Sequence, residues 1–143
     1  MGQRGLSSVM GIMLKQGHWD AMRAHVNACA PLEGCGLLAG KNNAAEKVFL
    51  IANQAQSPVM FRMDPAEQLD AFNQIEFNGL GLLAIFHSHP TGPEMPSTTD
   101  IAEATYPVVN IIWSRPKGQW QARGFWIENE TLTEVKLKIT DGE

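Results

Sequence analysis

A chain of 143 residues with 44% hydrophobic content is long enough for one domain, residues 1–143, that buries about two thirds of its unfolded surface. Its net charge is −4 and its 11 basic residues form no Lys or Arg run, which argues against a nucleic-acid partner. No stretch approaches the ~18 apolar residues of a membrane helix, and the N-terminus lacks a signal-peptide pattern. Cys29 and Cys35 have neither zinc-finger nor CxxC spacing, so we expect a soluble, cytoplasmic protein with no membrane partner.

The first predicted elements are a strand and a helix. Residues 6–14 are mildly apolar and are predicted to form an edge strand. Over residues 17–29, apolar side chains recur at spacings of three and four, which predicts a helix with one face toward the core. That stripe consists of Trp19, Met22, Val26 and Cys29. His18 and His25 lie off the stripe and are interpreted as ordinary surface or boundary residues.

Two strands are predicted next, because Pro31 ends the helix and apolar residues follow it. The segment EGCGLLAGK reads as a short strand, and EKVFLIANQ, residues 46–54, is predicted to pair beside it. Cys35 lies two residues from Glu33 and would share its face in an extended chain. We interpret Cys35 as a small buried filler, with a thiol near a metal as the alternative.

A second helix is predicted to begin after Asp64. Asp64, Pro65 and Glu67 match an N-cap, a proline at the first helical position and a capping-box partner. Gly79 offers a C-terminal stop. The face of this helix toward the core is predicted to carry Leu69, Phe72 and Ile75.

The next segment has the residue types of a metal site. LLAIF is a continuous apolar run typical of a buried strand, and FHSHPTGPEMPSTTD begins at its last residue. Alternate strand residues share a face, so His87 and His89 would present their imidazoles together. A helix capped by Ser97 or Thr98 would place Asp100 in its first turn, within reach as a third ligand. Two imidazole nitrogens and one carboxylate oxygen leave a fourth tetrahedral position open, which is typical of catalytic zinc sites.

The remaining elements are a short helix over residues 97–105, a buried strand over residues 107–114 and a C-terminal β-hairpin. In the last strand, TLTEVKLKI, apolar side chains alternate with lysines as in a half-exposed strand. The four tryptophans are interpreted as core and hairpin residues. This order predicts an α+β, three-layer α-β-α fold with a mixed, curved sheet flanked by helices.

The spacing His87-x-His89, seven residues, Ser97, two residues and Asp100 resembles the JAMM motif of the MPN+ metalloisopeptidases. Glu33 matches the glutamate that this family has upstream. The resemblance extends from the Glu33 segment through the strands after Asp100. It implies the cytidine-deaminase-like MPN fold, a Zn²⁺ cofactor held by His87, His89 and Asp100, Glu33 as general base and then general acid, and Ser97 as a donor to the oxyanion.

The resemblance also implies a substrate class. Enzymes similar to this chain cleave the amide bond after the C-terminal Gly-Gly of a ubiquitin-like protein, from a lysine or, in compact bacterial members, from a cysteine on a sulfur-carrier protein. Only residues 101–143 follow the motif, too few for the insertion of polyubiquitin-specific relatives, which favours a sulfur-carrier or prokaryotic ubiquitin-like partner. A homodimer is compatible with these features. Related bacterial members tend to have an arginine before the aromatic residue of the MDP segment, whereas here Met60 precedes Phe61 and Arg62 follows it.

Two other functions are considered. A non-catalytic MPN scaffold module usually lacks a metal ligand, whereas this chain has all three together with Glu33 and Ser97. A metal-dependent phosphoesterase or amidohydrolase would need further histidines, and only His18 and His25 remain. Glu94, the other carboxylate of the motif loop, is interpreted as a surface residue.

Overall fold

A computed structural model describes residues 11–104 and 106–140 of the chain. Seven strands and three helices lie within those residues, and none of the helices is long and apolar enough to span a bilayer. The strands are β1 (Gly11–Lys15), β2 (Cys35–Lys41), β3 (Ala44–Ile51), β4 (Gly81–His89), β5 (Val109–Ser114), β6 (Gln121–Glu128) and β7 (Thr131–Thr140). The helices are α1 (Gln16–Cys29), α2 (Pro65–Phe77) and α3 (Thr98–Ala102).

Among the described residues, the strands form one mixed sheet in the order β1-β3-β2-β4-β5-β6-β7. β4 and β5 are parallel, β1 is parallel to both β3 and β7, and the remaining neighbours are antiparallel. The sheet curves until β1, paired with β7 along its length, also meets β3 at Met13 and Ala44. The predicted α+β class with a mixed, curved sheet is thereby confirmed. The predicted edge position of the first strand is wrong, because β1 closes the sheet; residues 6–10 of that prediction lie outside the described residues.

The concave side of the sheet holds one hydrophobic core to which every strand contributes. α1 packs on this side and buries Met22 and Val26 completely, as the apolar stripe predicts. Trp19 is partly buried against the same core, with its ring centroid 4.8 Å from that of Trp113. The core residues from the strands are Ile12, Leu14, Leu38, Ala45, Ala84, Phe86, Val109, Ile111, Trp113, Trp126 and Val135. This core fixes β4, the strand that carries the two histidines, at the centre of the sheet.

The convex side is covered by α2. Ala71 and Ile75 of this helix are buried against Leu37 and the rest of a second core. The predicted core position of Leu69 is wrong, since its side chain is 62% exposed. Successive residues of a helix are rotated by about 100°, so Leu69 and Ala71 are about 200° apart. When Ala71 faces the sheet, Leu69 faces away from it. The small Ala71 therefore defines the buried face, which lets the helix lie close to the sheet.

The ends of α2 are set by local hydrogen bonds. The Asp64 side chain accepts hydrogen bonds from the backbone N–H groups of Ala66 (2.9 Å) and Glu67 (3.1 Å), as an N-cap should. Gly79 follows the helix with φ 68°, which confirms the predicted stop. The predicted capping-box role of Glu67 is wrong, because its Oε1 accepts instead from the backbone N–H of Ala52 at 2.8 Å. Glu67 thus connects α2 to the residue that follows β3.

The C-terminal elements follow the predicted order, with shorter bounds for all but the last strand, which ends one residue later than predicted. α3 is a five-residue helix, and Thr105, the last residue of its predicted range, lies outside the described residues. β6 and β7 form a hairpin whose two turn residues, Asn129 and Glu130, both have positive φ. Val135 is buried and Leu137 is half-buried, whereas Lys136 and Lys138 are exposed, so the predicted alternation is confirmed over these residues. The alternation does not extend to Ile139, which is 41% exposed.

Two glycine substitutions should have opposite effects on stability. A Cβ at Gly36 would collide with the ring of Phe86 and the carbonyl of Phe49, whereas one at Gly17, within α1, would meet no atom within 4 Å. We expect Gly36→Ala to lower the free energy of unfolding by about 1–3 kcal/mol, because the core must shift to admit the methyl group. We expect Gly17→Ala to raise it by about 0.5–1 kcal/mol, because alanine restricts the unfolded chain. Urea denaturation of both variants measures the difference, and a Gly36→Ala protein as stable as Gly17→Ala would contradict this packing.

Candidate metal centre

β4 ends in the two predicted histidines, which lie on the convex side of the sheet. His87 is paired with Cys35 of β2 on one side and Ile112 of β5 on the other, so its position is fixed from both flanks. Both histidines are buried. Ser88, between them, faces the other way, and its Oγ accepts a 2.8 Å hydrogen bond from the backbone N–H of Gly34. The alternation expected of a strand therefore brings the two imidazoles together.

Asp100 reaches the histidines through the cap of α3. Ser97 is the N-cap, and its Oγ accepts from the backbone N–H of Asp100 at 2.9 Å. In return, Asp100 Oδ2 accepts from the backbone N–H of Ser97 at 2.8 Å, which completes a capping box. The same two hydrogen bonds that start this short helix thus orient the Asp100 carboxylate toward the end of β4.

Three donor atoms converge at this point. His87 Nε2 lies 3.2 Å from His89 Nε2, and Asp100 Oδ2 lies 3.2 Å from each of them. His89 Nδ1 donates to the carbonyl of Pro93 at 2.9 Å, which leaves its Nε2 as a lone-pair donor toward the group. This is the set of residues that could hold a metal ion within the described parts of the chain. Its His₂Asp composition fits a catalytic zinc site with an open position.

The electrostatics of His87 and Asp100 favour cation binding. Burial would raise the pKa of Asp100, but hydrogen bonds and charge from His87 and His89 outweigh it and hold the pKa well below its usual range. Burial lowers the pKa of His87, which keeps the imidazole neutral. Burial also acts to lower the pKa of His89, but its bonds to Asp100 and Pro93 raise it overall. A carboxylate that stays ionised beside a buried neutral imidazole is a ready ligand pair for a divalent ion.

The His87 ring is held by a stacking contact that the sequence did not suggest. Phe61, in the loop between β3 and α2, lies over it with ring centroids 4.5 Å apart and planes 23° apart. His87 Nδ1 is buried and forms no hydrogen bond with the described residues. The orientation of His87 therefore comes from packing against Phe61 and from Asp100, rather than from a hydrogen bond at its second nitrogen.

Glu33 lies beside this group, just before β2 rather than on the predicted strand. Its side chain is 3% exposed, and its Oε1 is buried without a hydrogen-bond partner among the described residues. Burial raises the pKa of this carboxyl group to about 7, with opposing contributions from His89 and Asp100. A buried carboxyl with a free oxygen and a pKa near neutrality has the properties of a general acid and base.

The raised pKa of Glu33 predicts a stability effect in the metal-free protein. The folded state binds the proton of this group more tightly than the unfolded state, so stability falls as pH rises from about 4.5 to about 7. Glu33→Gln removes this cost, and we expect the metal-free variant to be more stable than wild type by about 2–3 kcal/mol near pH 8. Urea denaturation at about pH 8 and pH 4 measures the change; a difference that does not shrink at the lower pH would contradict it.

The converging donor atoms lie between two cavities. The first has a volume of about 220 Å³ and includes His87 and Asp100 in its wall together with Phe61, Arg62, Met63, Gln68, Ile85, Glu103, Ala104, Tyr106 and Asn110. The second, of about 180 Å³, is lined by Glu33, Pro58, Val59, His89, Thr91, Gly92, Pro93 and Ser97. A ligand bound at the three donor atoms would therefore have space on both sides of them. Arg62, which follows the aromatic residue in this sequence, lines the first cavity.

The other residues considered from the sequence lie outside the donor group. His18 Nδ1 accepts from the backbone N–H of Lys15, and His25 Nε2 lies 3.1 Å from the carbonyl oxygen of Cys35. Cys35 is fully buried, and burial raises the pKa of its thiol to about 12, which favours a filler over a metal ligand. Glu94 lies 3.5 Å from Arg123 and so connects the motif loop to β6.

The sequence is similar to that of known peptidases. A family model described as prokaryotic homologs of the JAB domain matches residues 15–127. The chain is 38% identical over 117 residues to a desampylase from Pyrococcus furiosus, spanning 80% of this chain and 81% of that protein. It is 41% identical over 103 residues to a probable TtuB-protein conjugate cleaving protease from Thermus thermophilus, spanning 71% and 69%. It is 29% identical over 126 residues to the CysO-cysteine peptidase of Mycobacterium tuberculosis, spanning 85% and 86%.

Solved structures share the fold. A protein from Desulfitobacterium hafniense gives a TM-score of 0.83 at 33% identity, over 92% of this chain and 94% of that one. A JAB1/MPN domain protein from Archaeoglobus fulgidus gives a TM-score of 0.58 at 18% identity, over 91% and 98%. The fold expected from the JAMM resemblance is therefore confirmed. With a family match over most of its length, this chain belongs to the prokaryotic homologs of the JAB domain, a metal-dependent family whose relatives named above are peptidases.

Proposed function

We propose that this protein is a zinc-dependent metallopeptidase that hydrolyses the amide bond after the C-terminal Gly-Gly of a ubiquitin-like or sulfur-carrier protein, in the cytoplasm. The observation that carries the proposal is the convergence of His87, His89 and Asp100 at 3.2 Å, with the buried Glu33 carboxyl beside them and a cavity on either side. The names of the relatives support the substrate class. The free thiols of Cys29 and Cys35 support a reducing compartment.

In this proposal, His87, His89 and Asp100 hold the zinc ion. When bound, zinc would supply an acidified water and polarise the scissile carbonyl. The protein contributes the fixed positions of the ligands: His87 stacked by Phe61, His89 bonded to the Pro93 carbonyl, and Asp100 held by the cap of α3. Because these constraints come from the protein's own residues, the ligand set is preorganised.

Glu33 is assigned the proton transfers. Its carboxylate takes a proton from the attacking water and then gives it to the departing amine. A general acid and base works best with a pKa near the operating pH, and the burial that raises the pKa of Glu33 to about 7 meets this requirement. Its unpartnered Oε1 is the atom available for this exchange.

Ser97 is assigned the oxyanion. Its Oγ accepts from the backbone N–H of Asp100, so the hydroxyl hydrogen stays available to donate toward the second cavity, which Ser97 lines with Glu33. A donor that acts on charge developing in the transition state lowers the barrier without tightening substrate binding.

Replacing Ser97 separates this role from helix capping. We expect Ser97→Ala to lower kcat by about 10²-fold or more with little change in KM, and to cost about 1 kcal/mol of stability through the lost cap. Ser97→Thr keeps a hydroxyl and a cap and should restore most of both. Steady-state kinetics and urea denaturation measure the two effects, and bound zinc is measured as well, because the cap also orients Asp100. A Ser97→Ala protein that loses stability but keeps its kcat would confine Ser97 to the cap.

The Gly-Gly substrate suits a confined site. A tail without side chains can lie extended and bind through its backbone, in a space too narrow for most other residues. The two cavities, of about 220 and 180 Å³, provide room for the chain on both sides of the scissile bond. The proposal assigns the tail to one side of the donor group and the leaving cysteine or lysine to the other.

The test is hydrolysis of defined adducts followed by intact mass spectrometry. The substrates are a sulfur-carrier protein with cysteine on its C-terminal Gly-Gly and a ubiquitin-like protein joined to a lysine. Wild type loaded with zinc should release the cysteine or the lysine conjugate, and chelator-treated wild type should release neither. Zinc-loaded wild type that is inert on both adducts would refute the proposal and favour a non-catalytic scaffold module.

A further inference from the structure

The carboxamide of Asn53, just beyond β3, forms four hydrogen bonds. Its Nδ2 donates to the carbonyl oxygens of Glu33 (3.0 Å) and Met60 (3.1 Å). Its Oδ1 accepts from the backbone N–H groups of Ala55 and Arg62, both at 3.0 Å. A carboxamide has two N–H donors and two acceptor lone pairs, so every hydrogen-bonding position of this side chain is used.

These bonds join the segment of Glu33 to the loop over residues 54–63. The backbone of Glu33 is held at both of its polar groups, because its N–H donates to the Ser57 carbonyl at 2.9 Å and its carbonyl accepts from Asn53. The same loop provides walls of both cavities, through Val59 on one side and Phe61 on the other. Asn53 is therefore the side chain through which the loop and the Glu33 backbone share one hydrogen-bond network.

We propose that Asn53 is a positioning residue for catalysis, which fixes the Glu33 carboxyl and the cavity-lining loop relative to the metal ligands. The inference rests on the proposed function and adds a residue outside the JAMM pattern. The Glu33 carboxyl has no hydrogen bond of its own at Oε1, so its place depends on its backbone and on packing. A base displaced by about 1 Å can cost about 10²-fold in rate.

Neither aspartate nor alanine at position 53 can form this network. Aspartate has the shape of asparagine but no N–H group, so Asn53→Asp would set a carboxylate against the carbonyl oxygens of Glu33 and Met60. Alanine has no side-chain donor or acceptor, so all four backbone partners would lose their hydrogen bond to residue 53. The proposed metal ligands come from β4 and α3, neither of which bonds to Asn53. Phe61 of the loop stacks on His87, but His87 also contacts Asp100, so metal binding should survive both changes.

The experiment compares Asn53→Asp and Asn53→Ala with wild type and with a matched control, Asn78→Asp. Asn78 also donates from Nδ2 to a backbone carbonyl, that of Gln74 at 2.8 Å, but it lies at the end of α2 and lines neither cavity. Four quantities are measured for each protein: kcat and KM on the cysteine adduct, bound zinc, the melting temperature, and hydrogen exchange by peptide in the metal-free state.

For both Asn53 variants we expect kcat to fall by about 10–10²-fold at full zinc content. We expect faster exchange confined to peptides covering residues 31–36 and 53–63, while Asn78→Asp keeps its kcat and its exchange in those peptides. Faster exchange throughout the chain would point to general destabilisation and overturn the proposal, as would a kcat within twofold of wild type or a loss explained by missing zinc. Wild type inactive on every adduct would instead refute the proposed function.

Discussion

Replacing Glu33 by glutamine is expected to lower kcat by about 10³-fold, the middle of the range for loss of a general acid and base. Glutamine has nearly the same shape as glutamate but cannot take a proton from water or give one to an amine. The buried position is retained, so the fold and the three metal donors should be unaffected. The measurement is kcat on the cysteine adduct, made on protein with verified zinc content.

Two controls distinguish loss of the general base from other effects of the substitution. Glu76→Gln, an exposed glutamate of α2 that lines neither cavity, removes the same charge and should leave kcat unchanged. Glu33→Gln should also bind zinc as wild type does, because Glu33 is not a member of the donor group. If Glu33→Gln kept more than about a tenth of the wild-type kcat, Glu33 would not be the principal base, since general-base catalysis is worth at least ~10²-fold.

The proximity of the three proposed metal ligands could be predicted because their geometry is local. His87 and His89 share a face by the two-residue period of a strand, and Asp100 follows a cap that can be read three residues earlier. Each of these relations depends on neighbours within a few residues, so spacing alone brings the donors close. The assignment of Glu33 needed the family resemblance, because 54 residues separate it from His87 and its burial results from tertiary packing.

The supporting residues were not predictable for the same reason. Phe61 stacks on His87 from a loop 26 residues earlier, and Asn53 reaches back 20 residues to the Glu33 carbonyl. Neither has a periodic signal, since a single aromatic or amide in a loop can adopt many roles. Leu69 was misplaced for a related reason: a helix with few large apolar residues can bury its alanine face, and hydrophobicity alone does not identify that face.

The centre depends on three chain segments that meet at the C-terminal end of β4. The start of β2 is tied to β4 by Ser88 Oγ and the N–H of Gly34, and α3 is tied to β4 through Asp100 itself. The loop of residues 54–63 is tied to the start of β2 by Asn53. Ser88 and Asn53 bond to backbone groups, and Asp100 contacts the side chains of His87 and His89, so a few side chains direct all of these contacts. Substitutions at those few positions should therefore affect activity more than stability.

Replacing Asp100 by asparagine is expected to abolish both zinc binding and hydrolysis. Asparagine can still accept the N–H of Ser97, so the cap of α3 is kept while the negative ligand is lost. Without that carboxylate, His87 and His89 remain as two neutral donors, too few for a stable catalytic site. We expect kcat to fall by at least about 10³-fold, in line with removal of a metal centre that supplies the nucleophile.

Thermal unfolding gives a readout of this loss that does not require activity. In the proposed mechanism zinc binds the folded state, so at a concentration about 100 times its dissociation constant it should stabilise wild type by about 2.7 kcal/mol and should not stabilise Asp100→Asn. The exposed Asp70→Asn, in α2, is the matched control and should respond to zinc as wild type does. Equal stabilisation of Asp100→Asn and wild type would show that zinc binds elsewhere. It would remove the basis for the proposed peptidase, because every assigned step takes place beside the group formed by His87, His89 and Asp100.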